Sequence, residues 1–95
     1  MARGYIIGSI TVTDPEGFRH YVAAASEAIK FHGARSLVRG GRCEILEGDG
    51  LTRNVILEFE SYADARSYYY SPEYQAAMKH RLGSAVANIV VVEGV

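Results

Sequence analysis

The chain has 95 residues, 48% of them apolar, with ten basic and eleven acidic side chains for a formal charge of -1. That length fits one domain over residues 1–95, whose core, burying roughly 60–65% of the extended surface, would gain from a second subunit. General disorder is excluded by the apolar content, and the lack of a basic run argues against nucleic acid or an anionic membrane as partner.

Residues 5–12 alternate as a first strand, with Ile6, Gly8, Ile10 and Val12 on one face and Tyr5, Ile7, Ser9 and Thr11 on the other. Neither face is plainly polar, so both are expected to be covered. Asp14-Pro15-Glu16 starts a helix, with Asp14 placed to cap it and Pro15 where no amide donor is needed. Phe18, Tyr21, Val22, Ala25 and Ile29 recur at spacings of three and four, which predicts an apolar stripe to about Lys30. Gly33 stops that helix and leaves His32 near its end.

A second strand is expected over 34–39, closed by the turn or bulge that Gly40-Gly41 allows. Residues 43–47 look extended again, either pairing back as a hairpin or continuing the second strand past a bulge, with continuation preferred. Residues 54–60 alternate more cleanly, with Val55, Leu57 and Phe59 facing one way and Ile56, Glu58 and Glu60 the other. Ser61 and Asp64 have capping-box spacing for a short helix, and Ser71-Pro72-Glu73 starts another, whose apolar stripe is Tyr74, Ala77, Met78 and Leu82. Residues 88–93 read as a last strand, with an apolar run that implies an interior place in the sheet. The order strand, helix, strand, strand, helix pair, strand predicts an α+β ferredoxin-like βαββαβ plait with helices on one sheet face. A second copy, sheet against sheet, is the simplest cover for the other face.

Charged residues within strands are the informative ones, because a buried sheet face does not tolerate them unpaired. Arg39, Glu47 and Glu58 either form a structural ion network or line a cavity in which Arg39 holds an anionic or carbonyl-bearing ligand. Tyr68, Tyr69 and Tyr70 are each turned by about 100° from the last. One is therefore expected in the core, one at its rim and one toward a groove or partner, with Tyr74 as a second aromatic wall. His20, His32 and His80 lack metal-ligand spacing, and no glycine pattern makes a dinucleotide or phosphate fingerprint, so no cofactor or metal is expected. His32 or His80 would serve as a general base or, more plainly, as a surface or capping residue. Cys43, the single cysteine, is read as a buried thiol and rules out an intrachain disulfide, which fits a reducing compartment. No stretch approaches about eighteen apolar residues and no leader pattern is evident, so a soluble cytoplasmic protein is expected.

Five features together resemble the DUF1330 family, small bacterial proteins of unknown function in the dimeric α/β-barrel superfamily. They are LVRGG (37–41), EILEG (44–48), VILEFESYADARSYYYSPEY (55–74), Arg81 and VVVEG (90–94). The resemblance implies a ferredoxin-like subunit packed sheet to sheet with its copy in a homodimer. Related branches include cofactor-free oxygenases of aromatic polyketides, heme-degrading enzymes, muconolactone-type isomerases and chlorite dismutase-like proteins, with pockets between sheet and helices. The family-like polar positions are Arg39, Glu44, Glu47, Glu58, Ser67, Ser71, Tyr74 and Arg81. Gly33-Ala34 and Tyr68-Tyr69 depart from the family's usual Gly-Gly and tryptophan-tyrosine pairs.

The functional expectation is a cofactor-independent enzyme, isomerase or monooxygenase-like, acting on a small aromatic or oxo-acid metabolite. Arg39 would hold a carboxylate or enolate, Glu58 or His32 would move a proton, Tyr69 and Tyr74 would frame the ring, and Glu47 and Arg81 would join in binding. The alternative is a non-catalytic binding or stress-associated dimer using the same cavity. Heme binding is a third possibility and would need an exposed His32 or His80 over a broad flat pocket.

Overall fold

The computed structural model of the protein describes residues 2–95. Its elements are β1 (Gly4–Val12), α1 (Pro15–Phe31), β2 (Arg35–Arg39), β3 (Arg53–Phe59), α2 (Tyr62–Tyr70), α3 (Pro72–Arg81) and β4 (Ala85–Glu93). The strands form one antiparallel sheet in the order β2-β3-β1-β4. This is the expected α+β ferredoxin-like arrangement. Ile6, Leu57 and Phe59 on the sheet cluster with Ala28, Ala65, Tyr68 and Tyr74 from the helices, so the core lies between the two layers. Among the described residues no helix is long and apolar enough to cross a membrane.

The local starts follow the residues. Ser61 Oγ accepts from the Asp64 amide at 3.0 Å and caps α2. Asp14 caps α1 by position only, since its side chain makes no cap hydrogen bond. The Thr13 and Asp14 amides instead donate to the Ser84 carbonyl, at 2.9 and 3.0 Å. The join is thus secured by backbone that the sequence pattern did not indicate.

Four sequence expectations are corrected. Residues 41–50 are exposed and form no strand, so 43–47 neither extends β2 nor pairs back. Cys43 lies in that loop and is exposed rather than buried. β4 is an edge strand, not an interior one. Its apolar run reflects two apolar faces: Ile89 and Val91 pack against the core, while Val86, Val90 and Val92 lie exposed on the other side. At the end of α3, Leu82 is exposed and Arg81 is buried in the place expected of an apolar residue.

One irregularity decides what each sheet face carries. The β2–β3 register shifts between Ser36 and Val38, leaving Leu37 as an extra residue. Arg35 therefore stands opposite Glu58, while Arg39 stands opposite Val55. In a regular strand residues four apart share a face, so the bulge sends these two arginines to opposite sides of the sheet. The bulge falls at Leu37 and not at Gly40-Gly41, where the glycines had suggested it.

Candidate functional site

A pocket opens between the sheet and the helices. Its floor includes Ile6, Gly8 and Ile10 of β1, its roof Phe18 and Tyr21 of α1, and its end wall Tyr68, Tyr69 and Tyr74. Its cavity volume is about 80 Å³, within a concavity of about 710 Å³ that includes open solvent at the mouth. The lining is mainly apolar, and its few polar side chains include Ser26, Ser36, Arg39 and Arg53. Arg39 is solvent-exposed and marks where the pocket opens.

The aromatic wall is held by the junction of α2 and α3. Ser71 Oγ donates to the Tyr68 carbonyl at 2.7 Å and accepts from the Tyr74 amide at 3.1 Å, so one buried hydroxyl fixes both tyrosines. Tyr74 has the rings of Tyr68 and Tyr69 at 5.1 and 5.2 Å, within the range of favourable aromatic pairs. The Tyr21 and Tyr74 hydroxyls lie 2.9 Å apart. Burial, and secondarily the neighbouring Tyr74, pushes the phenols of Tyr21 and Tyr68 far up from their ordinary value. These groups remain neutral at physiological pH and so do not serve as bases.

The structure divides the sequence-predicted site residues. Arg39, Tyr69 and Tyr74 line the pocket. Glu58 does not, because it points to the opposite sheet face. There it accepts a 2.9 Å hydrogen bond from the Tyr5 hydroxyl and lies 3.4 Å from Arg35. The expected pairing of Arg39 with Glu58 or Glu47 is not formed; Arg39 donates to Ser36 Oγ at 3.2 Å instead. Glu47 sits in the exposed loop. His32 caps the end of α1, where its Nε2 lies 2.9 Å from a Glu73 carboxylate oxygen. His80 is exposed beside His20, with ring centroids 6.0 Å apart. Arg81 is buried behind the wall, its guanidinium 5.8 Å from the Tyr21 ring centroid and its Nε without a partner. Burial disfavours that charge, but the Tyr74 and Tyr21 hydroxyls more than offset it, and the Arg81 pKa is raised. The three adjacent tyrosines split as the helical turn requires: Tyr68 is buried, Tyr69 half-buried and Tyr70 exposed.

Sequence reasoning missed Arg53. It lies just ahead of the expected strand, yet it is two residues before Val55 and so in phase with the apolar face. Extending the alternation by one residue finds it.

A family model described as a domain of unknown function (DUF1330) matches residues 3–95. The chain belongs to the DUF1330 family. Among solved structures, this DUF1330 chain is similar to a protein of unknown function from Rhodopseudomonas palustris, at 17% identity and TM-score 0.74, covering 99% of this chain and 83% of that one. It is also similar to SnoaB, a cofactor-independent oxygenase from Streptomyces nogalater, at 10% identity and TM-score 0.62, covering 97% and 92%. A third is a dimeric ferredoxin-like protein of unknown function from Thermobifida fusca, at 14% identity and TM-score 0.59, covering 96% and 92%. At these identities the likeness is one of fold alone. No curated protein matches the DUF1330 chain in sequence.

Proposed function

We propose that this DUF1330 chain is a homodimer that binds a small aromatic or oxo-acid metabolite, without a cofactor, in the pocket between sheet and helices. The observation that carries the reading is Gly8. It stands in the middle of β1, opposite Val55 and Ile89, where a glycine weakens a strand. A Cβ added there would meet only Ile89 Cγ1, at 3.8 Å. Close packing does not demand this glycine; its missing side chain is pocket space. Phe18, Tyr69 and Tyr74 supply faces for a ring, and Arg39 supplies a cation at the open side. A cavity volume of about 80 Å³ is small against the roughly 300 Å³ of ordinary ligand clefts. The ligand is therefore small, or its outer part rests at the mouth.

The homodimer rests on the sheet face away from the helices. Val86, Val90 and Val92 are exposed there, beside half-buried Ile7 and Ile56, and two structural neighbours are described as dimeric.

Two readings of the pocket's use differ by one feature. SnoaB's description as a cofactor-independent oxygenase supports turnover, with Glu58 or His32 moving the proton. Binding without turnover is favoured by the lining itself, which holds neither carboxylate nor imidazole among the described residues. Glu58 and His32 are engaged elsewhere, with Tyr5 and Glu73. The geometry supports binding more directly.

The test is Gly8→Val. The added Cβ meets nothing closer than Ile89 Cγ1 at 3.8 Å, so the fold should keep or raise its thermal midpoint while affinity for small aromatic acids is lost. Undiminished binding by a folded Gly8→Val protein contradicts the pocket assignment. Product formation or oxygen uptake with such acids would move the conclusion from binding to catalysis.

A further inference from the structure

We infer that Arg53 is the anion anchor of this pocket and that the ligand it selects is a small planar monocarboxylate. The inference rests on the reading that the pocket binds a metabolite, and it adds which residue holds the charge and what that charge is.

Arg53 opens β3 opposite Ile10, in phase with Val55 and Leu57 on the helix-covered face. Arg39, opposite Val55, is its diagonal neighbour across the β2–β3 pair on the same face. Two guanidinium groups thus border one apolar pocket. Among the described residues neither forms an ion pair with a carboxylate. Arg53 Nε is buried and has no hydrogen-bond partner. A partly buried guanidinium without an anionic partner is unfavourable against an apolar lining until an anion joins it.

The Arg53 head is also fixed in place. Its Cζ lies 5.3 Å from the Phe18 ring centroid. Gly40, at φ 65, also stands against it, and an added Cβ there would run into Arg53 Nη1. An aromatic face and bare backbone make a slot for a planar guanidinium, so little freedom remains to be lost when a ligand arrives. A planar carboxylate matches that fork through two parallel hydrogen bonds. A phosphate carries more charge and more oxygens than one fork satisfies, and the mainly apolar lining would leave the remainder poorly solvated. The ligand's apolar body then points inward toward Gly8, and its carboxylate stays at Arg53.

Isothermal titration tests this with benzoate, its neutral counterpart benzamide, and inorganic phosphate, added to the wild-type chain, Arg53→Gln and Arg53→Lys. Benzoate should bind the wild type about tenfold or more tightly than benzamide. Arg53→Gln should abolish that preference while still binding benzamide, which also shows that its pocket is folded. Arg53→Lys, keeping the charge without the fork, should fall between the two. Equal wild-type affinity for benzoate and benzamide, or full benzoate affinity in Arg53→Gln, overturns the anchor and leaves the pocket standing. Phosphate that displaces benzoate at equal concentration overturns the choice of a carboxylate. Failure of both benzoate and benzamide to bind the wild type overturns the pocket reading itself.

Discussion

Tyr21 of α1 and Tyr74 of α3 meet hydroxyl to hydroxyl at 2.9 Å, and this bond ties the two helices together at the pocket wall. Either single change to phenylalanine leaves the other hydroxyl partly buried without its partner. Tyr21→Phe and Tyr74→Phe should each cost about 1–3 kcal/mol, and the double variant should cost less than their sum. Urea unfolding of the four proteins in the cycle checks this. Strict additivity would show that the two hydroxyls do not depend on each other.

The same tyrosines set an alkaline limit. The phenols of Tyr21 and Tyr68 are raised above the ordinary value of 10.0, first by burial and then by Tyr74. Below that value both folded and unfolded chains keep these protons. Above it the unfolded chain loses them and the folded chain does not, so the unfolded state is favoured as pH rises. Stability should fall by about 1.4 kcal/mol per pH unit for each group. Urea midpoints taken from about pH 9 to about pH 11 should show the decline, and Tyr68→Phe should make it shallower. A decline of equal slope in Tyr68→Phe would contradict the assignment.

Ser71 holds Tyr68 and Tyr74 through one oxygen. Ser71→Ala should therefore destabilise by about 1–2 kcal/mol, the range for a lost helix cap, and should also weaken ligand binding because the aromatic wall loosens. Chemical denaturation paired with titration of an aromatic acid measures both. Loss of stability with unchanged affinity would mean that the cap serves the fold alone.

Much of the fold was legible because its signals are local. The Ser61 and Ser71 starts and the alternation of Val55, Leu57 and Phe59 each need only a few neighbouring residues, and Gly33 and Gly83 end helices at φ 68 and 87. The site was harder, because it depends on parity. Arg35 and Arg39 are four residues apart, and only the extra residue at Leu37 separates them between faces; nothing in RSLVR announces that bulge. Arg81 was readable as a polar residue in the last turn of a helix, but its burial depends on Tyr21 arriving from α1. The loop after β2 misled for the opposite reason. Ile45 and Leu46 look like strand residues locally, yet no neighbouring strand remains there to pair with them.

The exposed valines of β4 predict the assembly state. Val90 lies opposite Ile7 on the face away from the helices and is 55% exposed. Val90→Lys should convert a dimer to a folded monomer, because a charge at the centre of an apolar interface is left unpaired. Sedimentation of both proteins over a range of concentrations checks it. A wild-type mass of one chain throughout would contradict the dimer.

The most direct test of the central claim is methyl nuclear magnetic resonance of the wild-type chain during addition of benzoate. Ile6, Ile10, Val55 and Ile89 line the pocket, whereas Val86, Val90 and Val92 lie on the far face of the sheet. The account predicts saturable shifts of the first set with the second set still. Shifts confined to the far-face valines, or none at all, would contradict a ligand site between the sheet and the helices.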